Sequence, residues 1–194
     1  GAEVAESPAE AVRDADIVIT MLFDADSVEA ALDQARDGLK RGAVLLQQST
    51  VGVEGADRLA ARAEELGLVY VDAPVLGTKK PAEDGALVIL ASGPDEARDV
   101  VAPVFEAIGS RTVWVGAAGQ GTRLKLVANS WVLTVVEGIA ESLALARALG
   151  VEPRRFLEVV KGGAMDAPYV QLKGSAMLDG DFAPAFGLDG AAKD

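Results

Sequence analysis

DIVITMLF (residues 16–23) and AVLLQQST (residues 43–50) decide how this chain folds. Both are near-continuous apolar runs that finish in polar or turn-forming residues, the pattern of strands covered on both faces. The amphipathic stretch between them predicts a helix over residues 26–37. A second predicted helix, residues 54–66, leads into LVYVDAPV (68–75). GALVILASG (85–93) reads as a further strand, residues 94–108 as a helix and TVWVG (112–116) as a last strand. Upstream, Ser7 is a good N-cap, with Pro8 at the first helical position and Glu10 three residues after the cap. Strands and helices alternating at this spacing predict an α/β fold with a mostly parallel sheet.

After Gly116 the pattern changes. Residues 120–149 contain no proline and two glycines, Gly121 and Gly138, with apolar residues at helical spacing. A helix of about 30 residues spans roughly 45 Å, more than a small domain is wide. Gly150 supplies its stop. Shorter helices are predicted over 153–160 and 169–178, with another beginning near Leu188. These features predict a sheet domain over residues 1–117 and an all-helical domain over 118–194. Doubly wound sheets bind ligands beside a first, glycine-rich strand–turn–helix. GQGTRL (119–124) has two of the three glycines of that fingerprint, but it opens the long helix after the sheet. The sheet domain is therefore expected to be incomplete at its start, and the helical domain at its end.

Half of the 194 residues are apolar and 21 are glycine, which predicts a compact globular chain. No uninterrupted apolar run approaches the roughly 20 residues that span a bilayer, and the first residues carry no charged or hydrophobic export signal. The absence of cysteine excludes disulfide and thiolate chemistry, and a cytoplasmic location is expected. The net charge of −12 repels nucleic acid and anionic membrane, so neither is an expected partner. Small anionic substrates remain compatible, because a few lysines inside a cleft can reverse the local field. The chain also has no histidine. That removes the usual general base and the commonest metal ligand together, leaving Lys, Asp, Glu or Tyr to move protons. No metal site is expected.

Strand ends are where an α/β site belongs. Leu22 and Phe23 end the first strand before Asp24, Ser49 and Thr50 end the second, and Asp72 and Pro74 close the third ahead of Gly77, Thr78 and Lys79. Helical spacing places Gly121, Thr122, Lys125, Asn129 and Val132 on one stripe, with small residues that would let a ligand approach. A lysine of ordinary pKa, about 10.4, is a poor base, but burial or nearby positive charge lowers that value. Spacing alone leaves two accounts of Lys125 open, a proton carrier or a snorkelling surface side chain. Lys79 and Lys80 read as a solvated loop, and Phe156 and Tyr169 as packing residues.

These stretches together resemble the β-hydroxyacid dehydrogenase family, which includes 3-hydroxyisobutyrate dehydrogenase and the plant-type glyoxylate and succinic semialdehyde reductases. DAPVLGTKKPAEDGALVILASG (72–93) is similar to the family's substrate segment, D-A-P-V-S-G. GQGTRLKLVAN (119–129) is similar to its catalytic segment, G-x-G-x-x-x-K-x-x-x-N, and the late Phe186…Lys193–Asp194 resembles its F…K-D segment. The resemblance implies a Rossmann-type dinucleotide-binding domain followed by a helical one, and an NAD- or NADP-dependent oxidoreductase acting on CH–OH groups of a small hydroxy acid or the matching oxo acid. It implies Lys125 as catalytic acid/base and Asn129, with the backbone N–H groups of Gly77 and Thr78, as substrate contacts. Leu22, Phe23 and Thr50 would border the cofactor and Lys193 would close over it. Dimers or tetramers packed through the long helix are also implied.

Leu76 stands where the family has serine, which removes a hydroxyl expected at the substrate carboxylate and points to a larger or less polar substrate. Two alternatives are an imine reductase of similar architecture and a non-catalytic dimerisation module of the same fold. Imine reductases generally lack a lysine at this position, so Lys125 argues against the first.

Overall fold

In the computed structural model, residues 3–183, Gly187 and Gly190 are described. The chain divides into two compact units, 1–126 with 186–194, and 127–185.

In the first unit, α1 (Pro8–Ala11) starts as its sequence predicts, with Ser7 Oγ accepting the Glu10 N–H at 3.2 Å. Then β1 (Ile17–Thr20), α2 (Ala25–Ala35), β2 (Val44–Gln47), α3 (Gly52–Glu65) and β3 (Val69–Asp72) follow in alternation. The three strands form a parallel sheet in the order β1-β2-β3, with Thr20, Gln47 and Asp72 in one row across it. Every residue of β2 is buried. Because side chains alternate along a strand, Leu45 packs with Val28, Leu32 and Leu59 of the covering helices, while Val44 and Leu46 face the other way. Full burial of such a side chain stabilises the fold by about 1.5–3 kcal/mol, so the doubly covered central strand is the unit's spine.

The stretch 68–75, predicted as one strand, breaks at Ala73 and Pro74, and chain direction reverses after it. β4 (Val75–Leu76) pairs antiparallel with β5 (Leu87–Ala91), and β5 runs parallel to β6 (Gly109–Trp114) across α5 (Arg98–Ile108). An antiparallel bridge between Asp72 and Ser92 joins this second three-stranded sheet to the first. Lys79 and Lys80 do not lie in a plain loop. They open a short helix, α4 (Lys79–Glu83), with i,i+4 ion pairs Lys79–Glu83 and Lys80–Asp84. Such exposed pairs are worth a few tenths of a kcal/mol, about 0.3–0.5 each.

The long helix is real: α6 runs Gln120–Ala148. Its start, through Leu126, belongs with the sheet unit and its remainder with the second unit. Within the second unit, Ile139, Leu143, Leu157 and Val160 are buried. There α7 (Arg154–Val160) meets α8 (Pro168–Asp179) where Gly174 leaves room for Leu157, whose Cδ2 lies 2.6 Å from the position a Cβ would take. Asp166 ties the α7–α8 connection by accepting the Gly162 N–H at 2.7 Å and Gln171 Nε2–H at 2.8 Å. Hydrogen bonds to the ionised form hold its carboxyl below the ordinary value.

Among the described residues, α6 is long and apolar enough to cross a membrane by length and composition, with a mean hydropathy of 1.2 in its best window. The sequence contains no uninterrupted run of that length, because Lys125, Asn129 and Glu137 punctuate it.

Candidate active site

The carboxyl ends of β1 and β2 are locked by one buried polar network. Gln47 Oε1 accepts the Ser49 N–H at 2.7 Å and the Thr20 hydroxyl at 3.3 Å, while Gln47 Nε2 donates to Ser49 O at 2.8 Å. Ser49 Oγ in turn accepts the Leu22 N–H at 2.8 Å. These bonds fix the two strand tips that carry Leu22, Phe23 and Thr50. Leu22 and Phe23 are exposed and Thr50 is half-buried. Leu22 and Phe23 thus present an exposed apolar pair at the ends of parallel strands, where an α/β fold takes its ligand. Asp24 ends the tip by accepting the Ser27 N–H at 2.8 Å, which starts α2. An apolar cleft of about 370 Å³, lined by Pro8, Val12, Val18, Thr20 and Leu22 among others, flanks β1.

One row across the sheet from Gln47, Asp72 is completely buried at the end of β3. Its Oδ2 accepts the Thr122 N–H and its Oδ1 the Thr122 hydroxyl, both at 2.7 Å. Ser92 Oγ donates to Asp72 Oδ2 at 3.2 Å and accepts the Gly121 N–H at 2.9 Å. Burial pushes the Asp72 carboxyl above the ordinary value, against the opposing pull of Thr122 and Ser92. Gly121 does not open the helix to a ligand, as the small residues of the stripe suggest. The place of its missing Cβ is filled by sheet backbone, with Leu90 O at 2.2 Å and Asp72 O at 2.9 Å.

Lys125 lies one turn further along α6. Its Nζ donates to Val75 O on β4 at 2.9 Å, and the side chain is half-buried. The ammonium is thus held at the strand that leads into Leu76, Gly77 and Thr78, and not as a snorkelling surface lysine. Gly77 sits at φ +131°, where other residues are strained, and a Cβ there would meet Leu87 Cδ2 at 2.7 Å. Gly77 and Thr78 are exposed, so their backbone can face a ligand. Asn129 follows Lys125 by one helical turn and is half-buried. Lys193, with Phe186 and Asp194, lies outside the described residues.

The structure therefore brings Leu22, Phe23 and Thr50 together at one pair of strand tips, and Lys125 together with the segment that precedes Gly77. Burial, with the charge of Asp72, pushes the Tyr70 phenol up, and the Asp72 carboxylate is engaged with Thr122 and Ser92 at the start of α6. The part played by Asp72, Ser92 and Gln47 is not visible in sequence. A polar residue at a strand end has no local mark of its partner.

The match to known proteins covers both units. Residues 1–116 match the family model described as the NAD binding domain of 6-phosphogluconate dehydrogenase, and residues 119–194 match that of the NAD-binding domain of NADP-dependent 3-hydroxyisobutyrate dehydrogenase. The whole chain is 32% identical to glyoxylate/succinic semialdehyde reductase 2, chloroplastic, of Arabidopsis thaliana, of which it covers 55%, and 34% identical to reductase 1 of that plant, of which it covers 68%. The chain thus spans between about half and two thirds of the length of these relatives. Among solved structures, Mycobacterium tuberculosis 3-hydroxyisobutyrate dehydrogenase superposes with a TM-score of 0.87 at 28% identity, over 97% of this chain and 67% of that one. Sequence motifs, strand order and these matches agree: the chain belongs to the β-hydroxyacid dehydrogenase family.

Proposed function

We propose that the intact protein transfers a hydride between a nicotinamide cofactor, NAD or NADP, and a small hydroxy acid or oxo acid. The observation that carries this is the Lys125 ammonium, fixed on Val75 O immediately before the Leu76–Thr78 segment. Leu22, Phe23 and Thr50 would hold the nicotinamide half of the cofactor, because an exposed apolar pair beside a hydroxyl at the ends of parallel strands fits such a ring. When bound, the cofactor supplies the acceptor or donor of hydride. This chain manages the proton. In oxidation the C–H bond gives up its hydride while the O–H proton passes to the neutral Lys125 amine; in reduction the ammonium returns that proton to the carbonyl oxygen. The same positive charge stabilises an alkoxide as it develops. Gly77 and Thr78 would offer N–H groups to the substrate carboxylate, and Asn129 would hold the substrate beside Lys125.

Leu76 is half-buried on β4 and carries no hydroxyl, so the preferred acid should present an apolar group there. Turnover of NADH or NADPH by the intact protein, measured across a panel of oxo acids of rising side-chain size, is expected to favour branched substrates over glyoxylate. No oxidation of either cofactor with any of them would remove the proposal. Lys125 argues against an imine reductase, and the complete lysine motif argues against a purely structural module.

A second copy of the chain is the proposed partner. Trp131, Leu133 and Leu145 of α6 are exposed, and apolar side chains on a helix this long call for cover. Sedimentation of the intact protein at micromolar concentration should give a dimer or tetramer; a monomer at that concentration would sink this part.

A further inference from the structure

The carboxylate of Asp72 and the carbonyl of Val75 grip the start of α6 at two rungs. Asp72 binds Thr122 through both its oxygens, and Val75 O binds Lys125. Asp72 and Val75 are three residues apart, and so are Thr122 and Lys125, which share one face of the helix. The anchor is itself fixed, because Asp72 N–H donates to Ser92 O at 2.9 Å and Asp72 O accepts the Ser92 N–H at 2.8 Å. Gly121 lets the helix approach close enough for these bonds to form. A buried ionised carboxylate is expensive, and a neutral side chain can cap a helix without that cost. What the carboxylate adds is a stronger, two-point hold on Thr122, favoured further by the helix dipole.

We propose that Asp72 is a positioning residue for Lys125: by clamping Thr122 it sets the height and rotation at which α6 presents the Lys125 amine to the substrate. This rests on Lys125 carrying the proton, as proposed above. A displacement of about 1 Å at a reacting group can cost roughly 100-fold in rate, so a clamp one turn from the amine controls turnover without touching the substrate.

The test compares Asp72→Asn, Thr122→Val and Thr122→Ser in the intact protein. Asparagine keeps the shape but replaces one acceptor by a donor, and valine removes the hydroxyl that serine restores. Asp72→Asn and Thr122→Val should lower kcat about tenfold or more, with cofactor Kd and substrate KM within about twofold. Thr122→Ser should stay within about threefold of the parent. On a Lys125→Ala background, adding Asp72→Asn should change the residual rate less than about twofold, because its effect passes through the amine. An unchanged kcat in Asp72→Asn, or a further tenfold loss on that background, would overturn the assignment. Should Asp72→Asn not fold, the Thr122 pair makes the same comparison. If Lys125→Ala alone keeps full activity, the proton-transfer proposal itself has failed, a result distinct from both.

Discussion

Lys125→Ala is expected to lower kcat of the intact protein by about 10³-fold, roughly 4 kcal/mol of transition-state stabilisation, while cofactor binding is retained. The substitution removes the proton carrier and the positive charge together, and general acid–base catalysis with electrostatic stabilisation accounts for a loss of that order. Cofactor should still bind, because Leu22, Phe23 and Thr50 stand on strand tips held by Gln47 and Ser49. Fluorescence titration with NADH or NADPH separates the two effects. Arginine is no substitute, since its guanidinium stays protonated and cannot take up a proton near neutral pH. Activity of Lys125→Ala within about tenfold of the parent would place the proton elsewhere.

Gly121→Ala should strongly destabilise the sheet unit. An added Cβ would fall 2.2 Å from Leu90 O and 2.9 Å from Asp72 O. Neither oxygen can swing aside, because Leu90 lies in β5 with its N–H on Pro74 O at 2.9 Å, and Asp72 O is bound to the Ser92 N–H. The helix must move instead, and that breaks the Thr122–Asp72 bonds. Overpacking costs about 1–3 kcal/mol, and loosening hydrogen bonds to a buried charged group adds about 1.5–3 kcal/mol. Urea unfolding should therefore show a loss of about 2.5–6 kcal/mol. Turnover measured well below the unfolding transition should fall as well, because Lys125 moves with the helix. A variant with parental stability and rate would mean that the approach of α6 to the sheet is softer than its geometry implies.

The α/β alternation was legible because each strand and helix announces itself locally: AVLLQQST holds β2, which is buried at every position, whereas DIVITMLF, expected to be covered on both faces, is covered on one face only, with Ile19 exposed. The long helix was equally plain from a stretch of 30 residues with no proline. Lys125 could be singled out from its motif, and the lack of histidine narrowed proton transfer to a few residue types. The antiparallel turn between β3 and β5 was not legible, since β4 has only two residues and carries no periodicity. The helix over Lys79–Glu83 was likewise hidden by a basic pair beside proline.

Local sequence established which segments are strands or helices and which side chain could move a proton, because hydrophobic period and residue chemistry are properties of neighbours along the chain. Only the tertiary structure decided what Gly121, Asp72 and Ser92 are for. Their partners lie 20 to 50 residues away, and the close packing that brings a carbonyl against an absent methyl leaves no mark on either segment alone.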